Sequence, residues 1–190
     1  EELALLGDYL PRGGTFVDIG ANVGNHSLYA ALHLGAERVI PIEPNVPAYV
    51  LLLLNGALNN VAHRIVPHFL GVGASDLAEG GFGMTEREFN LGAARKVPGA
   101  GTLRTVRGDE VLRDAHPDVI KIDVEGMEMA VLRGLQKTVQ RCRPVLLVEC
   151  DRANIHDFAD WRLAHGYAIP ASFKHYPENR NFLLVPEERG

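Results

Sequence analysis

Two short segments of this 190-residue chain combine residue types and spacings that could do chemistry. The first is Asp18-Ile-Gly20-Ala-Asn22-Val-Gly24-Asn25-His26. Its glycines let the backbone pass close to a ligand, and a helix starting there presents unpaired N–H groups. Nineteen residues after Gly24 comes Glu43, an acid placed to accept both hydroxyls of a ribose. The second segment is Lys121-Ile-Asp123-Val-Glu125-Gly126-Met-Glu128, with three carboxylates where a strand hands over to a helix. Asp123 and Glu125 are the catalytic candidates, as groups that could take a proton from a hydroxyl or position it. Glu128 reads instead as a first-turn acid facing the helix dipole. Asp123 and Glu149 end neighbouring strands, so with Glu125 or Asp151 they could also hold one oxygen-ligated divalent cation such as Mg2+. His26 follows the glycine turn and is a third catalytic candidate, as a base or as a contact to the group being modified. His175 precedes the last strand and could contact the same group, whereas His33, His63, His116 and His165 read as solvated. Arg95, Lys96, Arg104 and Arg107 could recognise an anion, but the nearby Glu86, Glu88 and Asp109 favour a solvated surface.

These residues need a scaffold, and the hydrophobic pattern supplies one. Short apolar runs at Thr15–Ile19, Arg38–Ile42, Ile65–Leu70, Val119–Asp123 and Val145–Glu149 read as strands. Helical spacing lies between them, at Ser27–Leu34, from Asn45 toward Asn60, at Gly126–Val139 and at Asp157–His165. Asn45 is the expected N-cap of the second of these helices, with Pro47 in its first turn. Tyr167–Phe173 and Phe182–Val185 suggest a closing hairpin. Strands alternating with helices predict βαβ units, right-handed crossovers and a mostly parallel, doubly wound α/β sheet in one domain spanning 1–190. A glycine-rich stretch, about 73–105, breaks the rhythm and reads as an insertion containing a small hairpin.

Composition narrows the function classes. Hydrophobic residues make up 46% and charged residues 23%, the balance of a globular domain rather than a disordered or fibrous chain. The net charge of −5 gives no generic attraction to nucleic acid or to anionic membrane. The longest purely aliphatic run, Val50–Leu54, is far short of the ~20 residues that span a bilayer. Two cysteines, Cys142 and Cys150, read as plain thiols and call for no oxidising compartment, so the cytoplasm is the default expectation.

The glycine turn also discriminates between cofactors. Dinucleotide sites use G-x-G-x-x-G to hold a pyrophosphate. Here the spacing is Gly20-x-Asn22-x-Gly24, with Asn25 where a third glycine would fall. That turn suits an amino-acid tail better than a diphosphate, which points to S-adenosylmethionine. Asp18 would then either lie near the sulfonium or brace the turn through backbone N–H groups.

Asp18-Ile-Gly-Ala-Asn-Val-Gly24, Glu43-Pro44-Asn45, Ile120-Lys-Ile-Asp-Val-Glu-Gly-Met-Glu128 and Val131-Leu-Arg-Gly134 together resemble the FkbM-type methyltransferases, over roughly residues 14–150. The resemblance implies a class I, Rossmann-like fold with a seven-stranded sheet ending in an antiparallel hairpin. It implies S-adenosylmethionine as cofactor and methylation of a hydroxyl on a small molecule, sugar or polyketide. It further implies that Gly20, Asn22 and Gly24, with Asn25 beside them, line the methionine and ribose, that Glu43 holds the ribose, and that Asp76 holds the adenine amino group. Two other classes compete. One is an NAD(P)-dependent oxidoreductase or epimerase, which lacks its glycine spacing and a Tyr-x-x-x-Lys pair here. The other is a non-catalytic binding domain, against which the intact acids weigh. An Asn-Pro-Pro-Tyr motif for amide methylation is absent, which favours oxygen as the acceptor atom.

Overall fold

A computed structural model of the chain describes residues 2–84, 96–99, 101–174 and 177–189. Its main sheet has six strands in the order β2-β1-β7-β8-β10-β9. These are β1 (Thr15–Ile19), β2 (Arg38–Ile42), β7 (Val119–Ile122), β8 (Val145–Asp151), β9 (Tyr167–Phe173) and β10 (Asn179–Pro186). The first four pair in parallel, and β10 inserts antiparallel between β8 and β9. Between them lie α1 (Glu2–Leu5), α2 (Asn25–Leu32), α3 (Val46–Leu58), α4 (Gly108–Val111), α5 (Glu128–Gly134), α6 (Gln136–Cys142) and α7 (Ile155–Ala164). A second sheet, β3-β6-β4-β5, is formed by β3 (Val72–Ser75), β4 (Glu79–Met84), β5 (Lys96–Pro98) and β6 (Leu103–Arg107). The glycine-rich stretch thus supplies strands of its own, with β4 and β5 as an antiparallel pair.

The period-2 alternation of each strand sorts the core into two clusters. Val17, Ile19, Ile120, Ile122, Leu146 and Val148 join Leu132, Val139, Phe158 and Trp161 on the α4–α7 face. Phe16, Val119, Val145 and Leu147 join Leu6, Ala30, Ala31 and Leu52 on the α1–α3 face. The second face matters most for the site, because Lys121 and Asp18 fall in its alternation.

The expected strand at Ile65–Leu70 is corrected. Pro67–Phe69 forms a single 3-10 turn, and only two isolated bridges, Val39 with Ile65 and Glu43 with Leu70, tie this segment to β2. Pro67 has no N–H to give to a ladder and its fixed φ suits the start of a turn. The seventh strand of the expected sheet is accordingly reduced to this bridging segment, and the true strand begins at Val72 and joins the second sheet. Pro41 lies in β2, the edge strand of the main sheet, where a missing donor is tolerated. The helix expected over Gly126–Val139 divides into α5 and α6 at Leu135. Asn45 occupies the N-cap position of α3 without a side-chain cap hydrogen bond. His165 is not simply solvated: its ring stacks on Trp161 at 4.2 Å and its Nδ1 lies 2.7 Å from the Trp161 carbonyl. Cys150 is buried, Cys142 is half-buried, and both are free thiols.

Candidate active site

Parallel strands that end at one level bring their following residues to one edge, and the register here brings five polar side chains together. Asp18 pairs with Lys121 across β1 and β7, and Lys121 with Leu147 across β7 and β8. Two residues further along, with side chains on the same face, come Asp123, Glu149 and Asn181, the last two paired across β8 and β10. A cavity of about 350 Å3 opens here, lined by Glu2, His26, Lys121, Ile122, Asp123, Leu147, Glu149 and Asn181. The N-terminal α1 reaches this edge too, since Asn181 Nδ2 donates to Glu2 Oε2 at 2.7 Å.

Lys121 is the electrostatic hub of the site. It is 4% exposed, and its ammonium lies 3.0 Å from Asp123 Oδ2 and 3.5 Å from Asp18 Oδ1. Burial opposes its charge, but the two carboxylates outweigh burial and hold its pKa above the ordinary lysine value. Asp18 is fully buried, and its Oδ2 accepts from Ser27 Oγ at 2.7 Å, which ties β1 to the first turn of α2. Its Oδ1 makes no hydrogen bond, so the lysine is its compensation. Burial would raise the Asp123 pKa, yet the Lys121 charge and hydrogen bonds from Glu149 and Lys121 hold it below the usual carboxylate value. Glu149 goes the other way. Burial, the hydrogen bond to Asp123 and the nearby Asp123 and Glu125 charges push it up to about 9. At neutral pH the pair therefore carries one proton, resident on Glu149 and donated toward Asp123. His26 is lowered, first by burial and then by the Lys121 ammonium, against the opposing Asp18, Asp123 and Glu2, so its imidazole is neutral at pH 7.

The glycine turn lies beside this cluster. Gly20 has φ +80°, and a Cβ there would overlap the Asp123 carbonyl, so glycine is needed for the β7 end to approach β1. Gly24 is the N-cap of α2 with φ 90° and packs against Leu52. Asn22 adopts a left-handed φ of 50°, donates its N–H to Glu43 Oε2 at 2.8 Å, and leaves its side-chain Oδ1 buried without a partner. Glu43 Oε1 accepts from the Asn45 N–H at 2.7 Å. Burial raises the Glu43 pKa and these two backbone donors counter it. A carboxylate offers about four lone-pair sites, so two remain for a diol. The orphaned Asn22 oxygen and the spare Glu43 sites fit an adenosine-type ligand with hydroxyls to donate. Asn25 opens α2 and is exposed, next to His26 on the cavity wall.

Other expected residues lie elsewhere or act differently. Asp76 accepts from Arg133 Nε at 2.8 Å and from Ser75 Oγ at 3.2 Å, and this pairing holds its pKa down. Each Asp76 oxygen keeps an acceptor site beside its one donor, so the pairing with an arginine arriving from α5 leaves the expected adenine contact open. Glu125 has a left-handed φ of 51° in the turn before α5 and is absent from the cavity wall. Glu128 is buried, accepting from the Gly126 N–H at 2.7 Å and from Asn154 Nδ2 at 2.7 Å, so it braces that turn. Asp151 accepts from the Ala153 N–H at 2.9 Å. The divalent-cation expectation gains no support from the described residues. Asp123 and Glu149 do meet, but through a shared proton and the Lys121 ammonium. Among the described residues no group of three or more His, Cys, Asp or Glu side chains is gathered to hold a metal. His175 and Arg95 fall outside the described residues.

Reading by spacing passed over Lys121, Asn181, Glu2 and Ser27. The signal for Lys121 was present: a lysine flanked by Ile120 and Ile122 in a buried strand must find carboxylates.

Comparison with known proteins bears on family and fold. The methyltransferase FkbM domain model matches residues 18–169. The hexuronic acid methyltransferase AglP of Haloferax volcanii is 27% identical over 135 residues, covering 68% of this chain. The chain spans only 53% of that protein's length. Among solved structures, methyltransferase FkbM from Methylobacillus flagellatus superposes with a TM-score of 0.65 at 23% identity, over 90% of this chain and 43% of that one. TrmK of M. capricolum, solved with the natural cofactor product S-adenosyl-homocysteine, gives 0.58 at 10% identity, over 98% and 67%. These two likenesses establish the Rossmann-like methyltransferase fold. With residues 18–169 matched, from the first strand through the start of the closing hairpin, the chain belongs to the FkbM methyltransferase family.

Proposed function

We propose that this chain is an S-adenosylmethionine-dependent O-methyltransferase whose acceptor is a hydroxyl of a small molecule of the sugar or polyketide class. The observation that carries the reading is the adjacency of two half-sites. The Asn22–Glu43 turn, with unfilled acceptor atoms, lies against a cavity holding a neutral imidazole and a buried Lys121–Asp123–Glu149 cluster. When bound, S-adenosylmethionine supplies an electrophilic methyl group. Glu43 and Asn22 would hold its ribose and tail, and Asp18 keeps the turn and α2 in place through Ser27.

His26 takes the hydroxyl proton, since a base must be unprotonated at working pH and His26 is lowered rather than raised. Asp123 and Glu149 orient the acceptor by accepting from its hydroxyl groups, while the Glu149 proton stays on its hydrogen bond to Asp123. Lys121 keeps Asp123 ionised and fixed, so alignment is built in before the acceptor arrives. The name of the Haloferax relative supports a sugar-derived acceptor. No divalent cation enters this scheme.

The test is transfer of isotope-labelled methyl from S-adenosylmethionine to a panel of sugars and hydroxylated polyketides, with and without EDTA. Transfer that survives EDTA and falls in His26→Gln is the expected result. Transfer to amines alone, or complete loss with EDTA, would overturn the assignment of acceptor or mechanism.

A further inference from the structure

Helix α3 turns the usual amphipathic arrangement inside out. The residues it buries are Ala48, Leu52 and Gly56, at i, i+4 and i+8. Gly56 lets Ile65 pack close to the helix, since a Cβ there would come within 2.6 Å of Ile65 Cδ1. Asn55, also on the inner side, donates through Nδ2 to the Val23 carbonyl at 3.0 Å. The large aliphatics face out: Val46, Val50, Leu51, Leu53, Leu54 and Leu58 are 39–79% exposed. At 100° per residue they form one stripe roughly 160° wide, with Val46, Val50, Leu54 and Leu58 as an i+4 ridge along it. A solvated helix carries charged residues on such a face, and Val46–Leu58 contains none.

We propose that α3 packs against α3 of a second copy of this chain across a two-fold axis. Three observations select that occupant. The exposures amount to roughly 600 Å2 of aliphatic surface, at the upper end of what a monomer shows. Complete pairing of two such stripes would bury roughly 1,200 Å2, the lower edge of the range of specific protein interfaces. A self-interface places each residue near its own kind, so charges on the face would repel, and this segment has none although the chain carries −5 overall. The lack of lysine and arginine on the stripe argues against an anionic membrane surface, which amphipathic helices reach with basic residues. The i+4 ridges of the two helices interdigitate as in ordinary helix pairs.

Sedimentation equilibrium from low to high micromolar concentration tests this. The wild type should reach the mass of two chains, against 20.8 kDa for one. Leu54→Glu and Leu58→Glu should stay at one chain, with association weakened at least roughly tenfold. Leu163→Glu, on the exposed side of α7, should dimerise like the wild type. Amide exchange within α3 of the wild type should slow as concentration rises, a readout that needs no variant. A wild type that remains one chain at high micromolar concentration overturns the proposal. So does a dimer that survives both α3 substitutions, or a monomer that floats with neutral phosphatidylcholine vesicles.

Discussion

Replacing Lys121 with methionine, which keeps length and volume but removes the charge, should be the most damaging neutral change at the site. The ammonium compensates two carboxylates at once, 3.0 Å from Asp123 and 3.5 Å from Asp18. Asp18 is fully buried, and its Oδ1 has no hydrogen-bond donor to fall back on. Breaking a buried pair by deleting one partner costs about 3–5 kcal/mol, because the remaining charge stays desolvated. For a chain of this size each kcal/mol corresponds to ~2–4 °C, so the melting temperature should fall by roughly 6–20 °C. Urea unfolding at pH 7 with an unchanged m-value is the assay. Asp18→Asn alone strands the ammonium partly and should also destabilise, but Lys121→Met combined with Asp18→Asn should recover part of the loss, since the uncompensated charge is gone. A loss below about 1 kcal/mol, or strictly additive effects in the double variant, would refute the reading of Lys121 as the buried counter-charge.

Three further outcomes follow from the geometry. Glu149 has a folded-state pKa of about 9 against an ordinary 4.5, so the folded state binds more protons than the unfolded one between those values. Stability should therefore fall as pH rises from 5 to 9, and Glu149→Gln should flatten that slope in urea titrations, whereas an unchanged slope would place the proton elsewhere. Transfer activity should decline on the acid side as His26 becomes protonated, at a pH below the usual histidine value, and His26→Gln should abolish that limb of the pH–rate profile. Gly20→Ala forces a Cβ into the Asp123 carbonyl and a left-handed φ on a side chain, so it should destabilise by more than about 2 kcal/mol and disturb both half-sites together. A stable, active Gly20→Ala would mean that the ends of β1 and β7 do not need their close approach.

The sequence was informative where a local pattern dictates geometry and poor where geometry depends on partners from afar. The turn from Asp18 to Gly24 was readable because glycine at φ +80° and +90° marks a backbone path that other residues resist. The closing hairpin was readable from two apolar runs, and β9 pairs with β10 as expected. The run Ile65–Leu70 had a strand-like composition, but Pro67 and the edge position of β2 left it only two bridges. Nothing local to Asp76 shows that Arg133, 57 residues on, arrives from α5 to pair with it. Lys121 went unassigned because one of its two carboxylate partners, Asp18 on β1, becomes its neighbour only through strand register. Glu149 lines the cavity, but its proton comes from burial and from Asp123, neither of which spacing reveals.

The central claim is that the turn from Asp18 to Gly24, together with Glu43, receives S-adenosylmethionine, and calorimetric titration tests it most directly. S-adenosylmethionine and S-adenosylhomocysteine should each bind the wild type once per chain, while NADH gives no heat. Glu43→Ala, checked for intact folding by circular dichroism, should weaken both by roughly ten- to a hundredfold, the value of hydrogen bonds to a charged acceptor. Binding of NADH, or S-adenosylmethionine affinity unchanged by Glu43→Ala, would contradict the account.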